Sequence, residues 1–212
     1  MTRESEKLFG SGLSRLGVKR MIPQEKIKMT PDEYLELEEN SDTKHEYFHG
    51  EVFAMVGARK NHNIISFNIS RELGNQIKKT PCMGFGNDQR VKIDADKYVY
   101  PDIVVACDEI IFLEDELDSL INPVLIMEIL SNSTEIFDRG DKFQYYQSID
   151  SLKEYILVSQ HKCLVEQFVR NKENHTWTYT AYPNIDQTLS LESVKCDLPL
   201  SEIYYRVDFD TL

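Results

Sequence analysis

Between His62 and Ile77 the apolar residues Ile65, Ile69, Leu73 and Ile77 recur every four positions, which predicts a helix with one buried face. Upstream, "MTPDEYLEL" (29–37) carries a helix start: Thr30 can cap, Pro31 suits the first turn, Glu33 completes a capping box and Met29 can staple onto Tyr34. That helix is expected to reach about Glu39. In "KHEYFHGEVFAMV" (44–56) the pattern alternates on both sides of His49-Gly50, predicting a hairpin with Glu51 opening its second strand. "DQRVKID" (88–94) and "YVYPDIVVAC" (98–107) read as strands divided by a turn, and "PVLIMEILSNST" (123–134) as a strongly apolar strand running into a Ser/Asn-rich loop. The loop becomes a helix with Phe143 and Tyr146 turned inward, and "KEYILVS", "LVEQFVR" and "WTYT" follow as a meander. This order predicts an α/β fold with a mostly buried mixed sheet. Residues 1–28 lack periodicity and read as a flexible arm, leaving 29–212 as one domain.

Composition narrows the class. Of 212 residues 41% are apolar and 28% charged, the balance of an ordinary globular protein. No apolar run approaches the roughly 20 residues that span a bilayer, so a cytoplasmic protein without a membrane partner is expected. Cys82, Cys107, Cys163 and Cys196 have no C-x-x-C spacing, which argues against a zinc knuckle or redox dithiol and for buried free thiols. The net charge of −12 opposes nonspecific nucleic-acid binding; the basic pairs Arg59-Lys60 and Lys78-Lys79 stand against that background.

Two acids disturb the apolar pattern. Glu128 lies within a strand of Leu125, Ile126, Met127, Ile129 and Leu130, where a bare carboxylate loses its hydration and needs a proton, a cation or donors opposite it. Asp102 poses the same problem in "YVYPDIVVAC". If the strands are neighbours and their faces coincide, the two carboxylates converge, and an all-oxygen pair of this kind favours Mg²⁺ or Mn²⁺ over zinc. Pro101 cannot donate to a ladder, so it marks a place where pairing opens. Lys142 enters from the following helix and can stabilise developing negative charge. Other readings of these residues stand beside this one. Glu128 could pair with Arg90, Lys142 could bridge to Asp138 one turn away, and His62 could bond a backbone group at a helix start. Glu51 could face solvent. Ser131, Ser133 and Thr134 could shape the loop, and Tyr145, Tyr146 and Trp177 could be core.

In order and spacing, "YFHGEVFAM", "NHNIISFNISREL", "YPDIVV", "PVLIMEILSNST", "DRGDKFQYY" and "LKEYILV" resemble the PD-(D/E)XK nuclease superfamily, most closely its Uma-two branch of restriction-endonuclease-like proteins. Asp102 precedes Glu128 by 26 residues and Glu128 precedes Lys142 by 14. The parent pattern puts its lysine two places after the acid, where this chain has Leu130; Lys142 takes over the station from the next helix. The resemblance implies a restriction-endonuclease-like mixed β-sheet flanked by helices, with an added N-terminal hairpin and C-terminal meander. It also implies that Asp102, Glu128 and the Ile129 carbonyl bind a Mg²⁺ or Mn²⁺ ion, with Lys142 assisting attack of a metal-activated water on a DNA phosphodiester. Glu51 and His62 match further positions of the pattern. A noncatalytic, dimeric binding or assembly protein on the same fold is the alternative, favoured by the net charge; the acid, acid and lysine set favours the nuclease. Sugar hydrolysis by the two carboxylates would leave Lys142 without a role.

Overall fold

Thr30 accepts from the Glu33 backbone N–H while the Glu33 carboxylate accepts from the Thr30 N–H at 2.7 Å, and this capping box starts helix α1 (Pro31–Glu39) as its sequence requires. The structure is a computed structural model and describes residues 28–114, 118–174 and 176–209. The predicted arm therefore lies outside the described residues, except for Lys28, which forms a β-bridge with Glu51. After α1 come β1 (His45–Phe48) and β2 (Glu51–Ala54), then α2 (Lys60–Ile77) and four strands: β3 (Cys82–Gly86), β4 (Val91–Asp94), β5 (Lys97–Val99) and β6 (Ile103–Cys107). The central strand β7 (Leu125–Leu130) leads through α3 (Glu135–Arg139) and α4 (Asp141–Tyr146) to β8 (Glu154–Ser159), β9 (Val165–Arg170) and β10 (Trp177–Tyr182). The ribbon β11 (Thr188–Leu191) and β12 (Cys196–Pro199) and the short α5 (Leu200–Ile203) complete it. Thus the hairpin turns at His49 and Gly50, both with positive φ, as its sequence predicts.

A six-stranded mixed sheet ordered β10-β9-β8-β7-β6-β3 forms the centre, parallel only between β7 and β8. A parallel pair needs a crossover, and α3 with α4 supplies it. On one face Ile103, Val105, Met127, Ile129, Ile156 and Val158 pack against Ile65, Ile69 and Leu73 of α2 and against the β11–β12 ribbon. On the other, Val104, Ile126, Leu130 and Tyr155 meet Tyr146 of α4 together with Phe48, Val91 and Val99 from a four-stranded sheet ordered β2-β1-β5-β4. Strand alternation puts Glu128 on this second face, beside Ile126 and Leu130. The fold is the expected α/β mixed sheet with flanking helices, the N-terminal hairpin having grown into a second sheet.

One expectation is corrected. Cys82 and Cys107 are not free thiols: they stand directly opposite each other on the antiparallel pair β3–β6 and are joined by a disulfide. Cross-strand register brings together two residues 25 positions apart, which no spacing rule exposes. Cys163 and Cys196 are free. No helix among the described residues is long and apolar enough to cross a membrane.

Candidate active site

The β6–β7 ladder ends at Ile103 opposite Met127. Continuing that register puts Asp102 opposite Glu128 and Pro101 opposite Ile129. Pro101 has no N–H to give the Ile129 carbonyl, so main-chain pairing stops and a side chain takes its place. Asp102 Oδ2 accepts the Ile129 N–H at 2.7 Å, and the Asp102 N–H points at Glu128 Oε2 at 3.4 Å. In an extended strand a residue's N–H and C=O project toward the same edge, so the Ile129 carbonyl is turned to the side where Asp102 sits. Two carboxylates and a main-chain carbonyl therefore gather where the sheet opens.

Lys142 reaches them from α4. Its Nζ lies 2.9 Å from Glu128 Oε1, 2.8 Å from Glu46 Oε1 and 3.7 Å from Asp138 Oδ1, and its side chain is only 6% exposed. The Tyr146 hydroxyl donates to Glu128 Oε1 at 2.8 Å, and the Tyr100 N–H donates to Glu46 at 3.3 Å. Tyr155 Oη holds the Asp138 carbonyl at 3.0 Å. His62, one turn into α2, brings Nε2 to 3.2 Å from Asp102 Oδ1. Its neighbour Asn61 does the helix anchoring, donating to the carbonyls of Gln160 and Asp208.

Four carboxyl groups thus face one ammonium and one imidazole. Loss of hydration is the largest effect on Glu128; Lys142 opposes it, Asp138, Asp102 and Glu46 reinforce it, and the carboxyl is pushed up to about 8. Burial also raises Asp138. For Lys142, burial alone would lower the ammonium, but Glu128, Glu46 and Asp138 outweigh it and hold the group well above its ordinary range. An acid-rich pocket of this kind stabilises whatever positive charge enters, whether proton or metal ion.

The donor set fits a hard cation. Oxygen atoms from two carboxylates and one carbonyl suit Mg²⁺ or Mn²⁺, which keep several waters and do not need a protein cage. Among the described residues no three His, Cys, Asp or Glu side chains form a metal-holding group, so such an ion would complete its shell with main chain and water.

The structure brings Asp102, Glu128, Ile129, Lys142 and His62 to one place. Glu51 opens β2 opposite Phe48, on the same side of the hairpin as Glu46. It is Glu46 that holds Lys142, a residue the sequence pattern does not single out although, like Glu128, it is an acid inside a strand with buried neighbours. Tyr146, expected as core, is fully buried and also binds Glu128 through its hydroxyl. Arg90 is not the partner of Glu128: its Nε donates to Ser119 at 2.7 Å and its guanidinium lies over Tyr98. Ser131 Oγ lies 3.0 Å from both Ser133 Oγ and Thr134 Oγ1, shaping the loop after β7. Tyr145 and Trp177 are partly buried in the aromatic packing around α4.

Residues 31–201 match the family model Uma2, described as "Putative restriction endonuclease". Two Synechocystis sp. proteins are similar in sequence. "Uncharacterized protein slr1290" is 34% identical over 86% of this chain and 94% of its own length; "Uncharacterized protein sll1609" is 38% identical over 66% and 80%. The crystal structure of an Anabaena variabilis protein, described as a "putative nuclease belonging to DUF820", superposes with a TM-score of 0.69 over 83% of this chain and 97% of that one. At 18% identity that likeness establishes the fold. With the family match spanning most of its length and the acids and lysine of that pattern gathered at one break in the sheet, the chain belongs to the Uma2 family.

Proposed function

We propose that this chain is a divalent-cation-dependent endonuclease that hydrolyses DNA phosphodiester bonds. The observation that carries the reading is the convergence of Asp102, Glu128 and the Ile129 main chain at the open ladder, with Lys142 Nζ 2.9 Å from Glu128. Asp102, Glu128 and the Ile129 carbonyl would hold a Mg²⁺ or Mn²⁺ ion. Such an ion, when bound, supplies positive charge against the scissile phosphate and makes a water molecule more acidic. Tyr146 fixes one oxygen of Glu128 and leaves the other turned toward Asp102. His62 orients Asp102 through Nε2. Lys142, steadied by Glu46, keeps its proton and offers it to negative charge developing on the phosphate. The descriptions of the family and of the Anabaena protein support the same activity class.

The net charge of −12 and the near-complete burial of Lys142 favour a second reading, a noncatalytic nuclease-fold binding protein. One experiment separates them. Supercoiled plasmid incubated with the protein and Mg²⁺ or Mn²⁺ is expected to be nicked. Lys142→Ala and Asp102→Asn, folded as judged by circular dichroism, should each lose about 100-fold or more. Wild-type protein that leaves plasmid intact across metals and salt concentrations would overturn the nuclease reading in favour of the second.

A further inference from the structure

From Val52 to Arg71 the chain runs for 20 consecutive positions without an acidic residue. Continuing to Asn87, Glu72 is the single acid, against Arg59, Lys60, Arg71, Lys78 and Lys79. On a molecule of net charge −12 this is a local reversal of sign. Much of it is already neutralised or remote: Arg71 pairs with Glu72 and Glu202, and Lys78 and Lys79 stand at the far end of α2. Arg59 and Lys60 differ. Both are exposed, and among the described residues neither forms an ion pair.

Their place in the fold gives the pair a use. The stretch they belong to is tied at both ends to the acidic cluster. At one end Phe53 stands directly across the hairpin from Glu46, whose carboxylate holds Lys142. At the other, Arg59 caps α2 three residues before His62, which touches Asp102. Three residues are about 5 Å of helix rise, so the Arg59 main chain lies about one turn from His62. Between these ends Ala54, Val56, Gly57, Ala58, Arg59 and Lys60 are exposed, and only Met55 is tucked in, by its N–H to the Lys44 carbonyl at 2.9 Å. The segment therefore forms a cationic rim beside the acidic cluster. A polyanion approaching four carboxyl groups is repelled unless a nearby basic ledge offsets them.

We infer that the rim formed by residues 53–60 is where the sugar-phosphate backbone of a nucleic-acid strand is held, with Arg59 and Lys60 contacting phosphates flanking the one at the acidic cluster. The inference rests on the nuclease reading for what happens to the strand once held, but binding can be measured by itself. Charge complementarity selects the partner: each phosphate neutralised releases counterions, and that gain is available to two exposed cations even on an acidic protein.

The test is fluorescence anisotropy of a labelled duplex oligonucleotide in Ca²⁺ across a salt series, with wild type, R59A/K60A and, as a control at the other end of α2, K78A/K79A. R59A/K60A is expected to bind about 10-fold more weakly, with the slope of log affinity against log salt smaller by about 2. Its melting temperature should match wild type, and K78A/K79A should bind like wild type. Wild-type affinity in R59A/K60A overturns the inference, as does an equal loss in both double variants or no binding by wild type. So does loss of binding to phosphatidylglycerol vesicles with oligonucleotide affinity intact, which would make the rim a membrane contact. Failure of the two readings is distinguishable. R59A/K60A that nicks plasmid with unchanged KM removes the rim and leaves the nuclease; wild type that binds through Arg59 and Lys60 yet never nicks does the reverse.

Discussion

Glu128 shows how one side chain couples the pocket to pH. Its carboxyl, ordinarily near 4.5, is pushed up to about 8 by burial and neighbouring acids, so the folded protein keeps a proton that the unfolded chain has already released across that interval. The contribution to stability is full below the ordinary carboxylate value and is lost as pH rises through about 8. Cation-free protein is therefore expected to melt at progressively lower temperature from about pH 4.5 to about pH 8. Glu128→Gln, which cannot ionise, should flatten that profile in differential scanning calorimetry. Glu128 and Asp102 were legible in the sequence because an acid inside an apolar strand is a physical anomaly that demands a partner. Glu46 was not: the hairpin carries two acids on one side, and alternation cannot say which of them reaches another element. Tyr146 hid behind a correct expectation, since the ring is core and only its hydroxyl serves the site.

At the level of elements, Pro101 was legible as a break in pairing, and the fold uses it so, replacing a ladder bond with the Asp102 carboxylate. The edge strand β3 was not. Its sequence, "CMGFG", has two glycines and no β-branched residue, so local propensity gives no strand signal, and pairing with β6 decides it. Nor does local sequence show that the predicted single helix breaks at Gly140 into α3 and α4. The disulfide belongs to this scale, because it fastens β3 to a sheet that it otherwise joins only along one side. Closing a loop of 25 residues is worth about 3.5 kcal/mol through the unfolded chain. Urea denaturation with and without dithiothreitol should show that loss on reduction, together with a Cys82→Ser, Cys107→Ser variant that no longer responds to reductant.

Over the whole molecule, α/β class, element order and the central strand followed from periodicity, whereas the pairing of β1 with β5, which joins two local hairpins into the second sheet, is long-range and has no local signature. On the proposed function, global stability reports cation binding at the acidic cluster. A cation present at 100 times its dissociation constant adds about 2.7 kcal/mol, which for a chain of this size raises Tm by roughly 5–10 °C. Mn²⁺ titration followed by thermal melting should show such a rise in wild type and none in Asp102→Asn.

Had the lysine stood two places beyond Glu128, the sheet itself would have locked amine and acids onto one rail. Here the amine rides a six-residue helix seated by Phe143 against Tyr155 and Phe168 and by Tyr145 against Phe48. Alignment of the amine with the acids is thus a property of an oily bearing rather than of main-chain covalency, and disturbance of that bearing from outside can shift the amine away from the acids while both acids stay in place.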